Sequence, residues 1–161
     1  MEAIFCYGSN NIEQITRRTG ENPVAFQKAL LIDYTLIFAG YSYLWGGSVA
    51  TIHEKKGSAV KGGVTMISQN ALTKLDKYEQ GYNRVKVNVN FNGGNMLAYT
   101  YVKQQKYASS TPSEEYINNI NKLLNESGYD TKIEIVQMLD SKNKIVKLDI
   151  TLSTDDFKRI N

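Results

Sequence analysis

Two features of this sequence have residue types and spacing that can do chemistry: a carboxylate, Glu79, and a short turn, Tyr7-Gly8-Ser9-Asn10. Glu79 closes a segment, Asn70 to Glu79, in which Leu72, Leu75 and Tyr78 recur at helical spacing. Asp76 lies one turn back and Gln80-Gly81-Tyr82 follows. A carboxylate there that faces a partly apolar pocket has a raised pKa and can shuttle a proton near neutral pH. On the residues alone, a solvated glutamate at a helix end is the default reading. The Tyr7 to Asn10 turn follows an apolar, strand-forming run, Ala3-Ile4-Phe5-Cys6-Tyr7, and Asn10 or Asn11 can cap a helix that starts near Ile12. A strand-to-helix turn leaves backbone N–H groups unpaired and facing outward, and the helix dipole favours an anion there. Gly8 admits a ligand close to the backbone, and Ser9 and Asn10 add side-chain hydrogen bonds. Many such turns bind nothing, so the tetrapeptide alone assigns no ligand. Other chemistries fall away: one cysteine (Cys6) and one histidine (His53) leave no set for a metal or a nucleophilic triad. Cys6 reads as a buried, inert thiol and His53 as a surface residue at a strand end.

These groups need a scaffold, and 161 residues suffice for one well-buried core but not for two ordinary domains. A short helix over Ile12 to Thr19 ends in Arg17 and Arg18, cations that suit its C-terminus and can also attract an anionic substrate. Ala29 to Ala39 reads as two strands, or as one bent at Asp33. An aromatic loop, Tyr41 to Gly47, holds Trp45, either a cavity wall or a core aromatic. Ser48 to Ile52 is a short strand, Lys55-Lys56-Gly57-Ser58 a turn, and Val60 to Ile67 a strand in which Gly62-Gly63 signals a bulge or a close backbone approach. Val85, Val87 and Val89 alternate with polar residues, Asn92-Gly93-Gly94-Asn95 is a hairpin turn, and Met96 to Val102 is the return strand. Thr111-Pro112-Ser113-Glu114 offers a capping box with proline at the first helical position, opening a helix that buries Ile117, Ile120, Leu123 and Leu124. Lys132 to Leu139 reads as a further helix, with a strand as the alternative. Lys144 to Leu152 is β-like, and the last nine residues are polar and expected to fray. Strands come in runs rather than in strict alternation with helices, which points to an α+β fold: a mixed sheet or barrel with helices outside.

The formal charge of +3 is spread along the chain. Lys55-Lys56 and Lys142-Lys144-Lys147 are its nearest clusters, and they read as solvated turns, so no nucleic-acid partner is expected. No apolar run reaches membrane-spanning length, and Glu2 with no cationic segment beside it is unlike a signal peptide; no membrane association is expected. The lone cysteine fits a reducing, cytoplasmic setting.

Taken in order, several motifs are similar to those of the gamma-glutamylcyclotransferase family, AIG2-like fold. Tyr7-Gly8-Ser9-Asn10 resembles its N-terminal signature. Trp45-Gly46-Gly47-Ser48-Val49-Ala50-Thr51-Ile52, Val60-Lys61-Gly62-Gly63-Val64 and the L-D-x-x-E run Leu75-Asp76-Lys77-Tyr78-Glu79 follow. Leu97-Ala98-Tyr99-Thr100-Tyr101 and the Pro-Ser-x-x-Tyr helix start at Pro112 to Tyr116 complete the set. The likeness spans about residues 2–139 of a single 1–161 domain, with 140–161 a divergent tail. The tryptophan loop is most similar to the true gamma-glutamylcyclotransferases rather than their smaller relatives. The resemblance implies a small mixed β-barrel with flanking helices. It also implies a cofactor-free reaction, in which a gamma-glutamyl amino acid or peptide becomes 5-oxoproline plus a free amine by intramolecular attack. The implied partner is a small-molecule gamma-glutamyl substrate, and a homodimer stays open. By the same resemblance Glu79 is the acid/base, and the N–H groups of Gly8, Ser9 and Asn10 hold the substrate's carboxylate. Tyr7, Tyr82 and Tyr101 are substrate-binding candidates, the latter two set against a purely structural role for their hydroxyls.

The chain departs from the pattern in three places. Gln80 stands where a glycine is usual, only two residues separate Glu79 from Tyr82 where the larger cyclotransferases have a longer loop, and Asn11 replaces a more usual apolar residue. These changes bear on the leaving group, so a gamma-glutamylamine or isopeptide substrate is a rival. A non-catalytic module that binds a small anionic metabolite or peptide is the rival outside the enzymes.

Overall fold

A computed structural model describes residues 1–104 and 110–151 with their side chains and, at 158–160, the backbone. The elements run β1 (Glu2–Cys6), α1 (Ile12–Thr19), β2 (Gln27–Ser42), β3 (Gly47–Ile67), α2 (Gln69–Asp76), β4 (Tyr82–Phe91), β5 (Gly94–Lys103), α3 (Glu114–Glu126), β6 (Ile135–Leu139), β7 (Ile145–Asp149) and β8 (Lys158–Ile160). Five strands close a ring in the order β3-β1-β5-β4-β2, sealed by the β2–β3 pairing. The ring is antiparallel except at β1–β5, where Ile4 pairs with Tyr99 in parallel register. The fold is therefore the expected α+β one, a small mixed barrel flanked by helices.

Alternation along β1 explains how the barrel takes its helices. Phe5 and Tyr7 join a buried cluster with Leu31, Val60, Val64, Val89 and Ala98 from the other ring strands and with Tyr116, Ile117, Ile120 and Leu124 of α3. Ile4 and Cys6 face the other way, among Ile15 of α1, Leu72 and Leu75 of α2 and Leu123 of α3. One strand thus anchors both layers, and the turn that follows it inherits a fixed position.

Two long strands make the barrel possible, and both bend at one place. Asp33 has φ 65° and the register shifts between Ile32 and Tyr34, so the single bent strand is the reading that holds. The expected turn at Lys55 to Ser58 is instead a bulge within β3: Ile32 pairs with Ala59 and Tyr34 with Glu54, so residues 55–58 all face Asp33. Asp33 Oδ1 accepts the Gly57 N–H at 2.9 Å, and Gly57 takes φ 87°, so the local turn chemistry serves a kink rather than a chain reversal. At Gly62 and Gly63 the register is unbroken, and the glycines serve close approach. A Cβ would run into the Cys6 carbonyl and the Phe5 ring at Gly62, and into Ser127 Oγ at Gly63.

Two further expectations change. Ser113, not Thr111, caps α3: its Oγ accepts the Tyr116 N–H at 3.2 Å, and Pro112 precedes the cap instead of opening the helix. Tyr116 fills the position that a capping box needs for glutamate or glutamine, so no box forms. The helix expected over Lys132 to Leu139 is the strand β6, which runs parallel to β2 with Phe38 opposite Met138 and buries Val136 and Leu139. The part of β2 beyond its pairing with β4 offers an open edge, and an apolar run too short to favour a helix completes it. The β-like tail is β7, antiparallel to β6, and it pairs with β8 at 158–160. Of the last nine residues expected to fray, 153–157 and 161 lie outside the described residues, as does Leu152. Among the described residues no helix is long and apolar enough to cross a membrane.

Candidate active site

The chain leaves β1 at Cys6 and enters α1 through the Tyr7 to Asn10 turn. Of the two asparagines able to cap that helix, Asn11 does so: its Oδ1 accepts the Gln14 N–H at 3.0 Å. Its amide also donates to Asn119 Oδ1 at 3.1 Å, and Glu126 Oε1 accepts the Ile12 N–H at 3.0 Å, so α3 clamps the turn in place. An apolar residue at position 11 could neither cap the helix nor bond Asn119. Asn10 is thereby released for the site. Its Nδ2 donates to Glu79 Oε1 at 2.7 Å, and its Oδ1 accepts from Arg18 Nη1 at 3.0 Å. Among the described residues no hydrogen bond uses the N–H groups of Gly8, Ser9 or Asn10.

Glu79 lies past the end of α2, in the turn to β4, rather than on the helix itself. Its N–H donates to Asp76 O and its carbonyl accepts from Tyr82 N–H, at 3.2 and 3.1 Å. Its side chain is only 11% exposed, so the solvated-glutamate reading gives way to a buried carboxylate. Burial holds its pKa above the ordinary glutamate range, opposed by the Asn10 hydrogen bond and by the charge of Arg18. Arg18 approaches it to 3.5 Å with a side chain 9% exposed. Helix-end solvation is therefore wrong for Arg18 and right for Arg17, which pairs with Glu13 at the surface.

A cavity joins these groups. The Tyr7 to Asn10 turn, Ala50, Glu79, Tyr82, Tyr101 and Tyr116 border it. The proposed acid/base and the substrate-binding candidates Tyr7, Gly8, Ser9, Asn10, Tyr82 and Tyr101 all border it, although Asn10 and Glu79 are 69 positions apart. The tyrosine hydroxyls are engaged by the protein. Tyr7 donates to the Tyr101 carbonyl, Tyr82 donates to the Ala50 carbonyl at 2.7 Å, and Tyr116 accepts the Ala50 N–H at 2.9 Å. Tyr101 gives its hydroxyl proton to Asp76 Oδ1 at 2.6 Å, and Asp76 Oδ2 pairs with Arg84 at 3.0 Å. Burial pushes all four phenols above their usual range, so they stay neutral walls, Tyr7, Tyr82 and Tyr101 as donors and Tyr116 as an acceptor. Cys6 borders the cavity with a thiol that burial keeps protonated. His53 is exposed, as expected.

Three site residues carried little or no weight in the sequence. Tyr116 stands in the first turn of α3, and Trp45 packs edge-on against it, 5.2 Å between ring centroids. In the sequence Tyr116 figured only as the last residue of the Pro-Ser-x-x-Tyr helix start, with no role in the site. Arg18 was hidden by its suitability for a helix end. Lys103, the last residue of β5, stands beyond Glu79 in a second, outer pocket and carried no sequence signal at all.

A family model described as "Gamma-glutamyl cyclotransferase, AIG2-like" matches residues 4–118. The chain is similar to the gamma-glutamylcyclotransferase of Bos taurus, with 29% identity over 153 residues, covering 88% of this chain and 81% of that protein. The Mus musculus gamma-glutamylcyclotransferase is 27% identical over the same shares. Among solved structures, one titled gamma-glutamyl cyclotransferase superposes with a TM-score of 0.73 at 29% identity, over 80% of this chain and 81% of that one. YkqA from Bacillus subtilis gives 0.60 at 28% identity, over 75% of this chain and 47% of its own.

Proposed function

The chain belongs to the gamma-glutamyl cyclotransferase, AIG2-like family, and from that premise we propose that it converts a gamma-glutamyl amino acid or peptide to 5-oxoproline and a free amine. The observation that carries this reading is the contact between Asn10 and Glu79: a buried carboxylate with a raised pKa stands 2.7 Å from a turn whose N–H groups are free to hold an anion. The substrate's α-carboxylate lies on the Gly8, Ser9 and Asn10 N–H groups, at the N-terminal side of α1. Its α-ammonium gives a proton to the Glu79 carboxylate and becomes a nucleophile. The free amine attacks the γ-carbonyl of the same molecule, and a carbon–nitrogen bond closes the five-membered ring. Protonated Glu79 then delivers its proton to the departing nitrogen as the amide bond breaks, and the second proton that the ring nitrogen sheds passes through the same carboxylate to the released amine, which leaves as an ammonium. No water is consumed and no net proton is gained, so one carboxylate serves both steps.

Because attack is intramolecular, the protein's main task is to hold the bent conformer. The four committed tyrosines suit that task, since fixed walls restrict the folded substrate without competing for its polar groups. The test is release of 5-oxoproline from gamma-glutamyl dipeptides by wild type and Glu79→Gln. The amide keeps the side chain's shape but cannot take the proton. Turnover by wild type alone supports the reading, and equal turnover by both proteins removes Glu79 from it.

A further inference from the structure

Glu79 does not close the cavity; it divides it. Glu79, Ser9, Tyr82 and Tyr116 also border the outer pocket, which continues to Arg18, Trp45, Val49 and Lys103. If the glutamyl half occupies the inner cavity, as the proposed reaction requires, the scissile amide lies at Glu79 and the leaving amine enters the outer pocket. The inference below rests on that reading.

Two cations border the outer pocket, and their situations differ. Arg18 is already bound to Asn10 and Glu79. Lys103 forms no contact ion pair among the described residues and feels the Glu79 carboxylate only at longer range. It is nonetheless held. Its backbone N–H donates to Thr51 Oγ1 at 3.0 Å, and its stem lies against Gly40, where a Cβ would come within 3.2 Å of Cε. Its ammonium stands 5.0 Å from the centroid of the Tyr82 ring, and that ring is fixed by its own hydrogen bond to Ala50. A half-buried ammonium held in place with no anion in contact with it is a poor end state for the free protein and a good one for a complex.

The chemistry of the leaving group supplies the anion. An amine released from a gamma-glutamyl α-amino acid carries a carboxylate on the carbon next to its nitrogen; a gamma-glutamylamine carries none there. We propose that Lys103 is a specificity-determining residue that receives the carboxylate of the leaving amino acid across the outer pocket. The apolar wall of Trp45 and Val49 is left for that amino acid's side chain. Arg18 stays with Glu79 and Asn10 and takes no part in choosing the leaving group.

The test compares kcat/KM for gamma-glutamyl-L-alanine and gamma-glutamyl-ethylamine, which differ by that carboxylate, in wild type, Lys103→Met and Lys103→Arg. Wild type is expected to favour the alanine substrate by about tenfold or more, the range of a charge-assisted hydrogen bond. Lys103→Met should bring that ratio close to one, mainly through KM, while Lys103→Arg keeps most of it. A wild-type ratio near one, or a ratio that survives in Lys103→Met, overturns the proposal. Equal losses on both substrates overturn it too, because a merely structural lysine would act that way. Release of 5-oxoproline from neither substrate by folded wild-type protein sinks the underlying reaction reading instead.

Discussion

In the inner cavity the hydroxyls of Tyr7, Tyr82, Tyr101 and Tyr116 are all engaged by protein groups, and the groups left over are a carboxylate and a few backbone N–H donors. The outer pocket is the reverse. Its ammonium, Lys103, touches no carboxylate among the described residues, and its rim includes Leu44 at 75% exposure and Tyr78 at 56%. The inner cavity is thus built to accept one rigidly defined group. The outer pocket offers a charge, a flat apolar wall and a solvent-facing edge, which under the proposed reaction is a surface on which one leaving group can be exchanged for another. A division of this kind lets chemistry and selectivity change independently.

The sharpest way to break the comparison is Glu79→Gln, expected to lower kcat by about a thousandfold with the protein still folded, as steady-state assays would show. A variant that turns over freely would make the inner cavity a mere pocket. Asn10→Ala comes next. Without its hydrogen bond the Glu79 carboxylate loses a group that favours its charged form, so its pKa rises further. The rising limb of kcat/KM against pH, already above the ordinary glutamate range, should move to higher pH, and kcat at neutral pH should fall by about tenfold to a hundredfold. A limb that stays still would mean that another group sets it.

Tyr116→Phe tests whether the inner walls are structural. It strips the acceptor from the buried Ala50 N–H and should cost about 1–3 kcal/mol in urea unfolding, with a smaller effect on turnover. The smallest effect belongs to the outer rim. Leu44→Ser removes an exposed side chain and should change stability by at most about 0.5 kcal/mol, with kcat untouched and only KM sensitive to the leaving group. A large loss of kcat from this change would erase the distinction between the two pockets.

What could be seen in the sequence follows the range of the forces involved. β1, its glycine turn and the start of α1 are set by neighbours in sequence, and so they were legible, although the choice between Asn10 and Asn11 as cap stayed open until the structure gave it to Asn11. The bulge at 55–58 was misread because its turn chemistry is real, and only the partner strand, kinked at Asp33, decides that the chain continues instead of reversing. β6 was misread because a short apolar run takes whichever state its surroundings complete, and here a vacant stretch of β2 edge completes a strand. Pro112 fitted the first position of a helix by local preference, but the Ser113 side chain captured the Tyr116 N–H and moved the boundary two residues along, past the proline. The carboxylate and the turn were both found, yet nothing local places Asn10 against Glu79 or keeps Arg18 from solvent. Those facts belong to the closed ring, and the expectation for them came from likeness to a family rather than from spacing.

The strand order carries one more consequence, for how the molecule is made. All five ring strands lie within residues 2–103 and α3 ends at Glu126, so a chain emerging from the ribosome releases everything needed for closure before it releases β6. During that interval the far part of β2 is a bare strand edge, able to pair with any extended neighbour, including the same stretch of another nascent chain. Strands β6 to β8 act last and as a cover: their arrival ends the period in which a finished barrel still has an adhesive side.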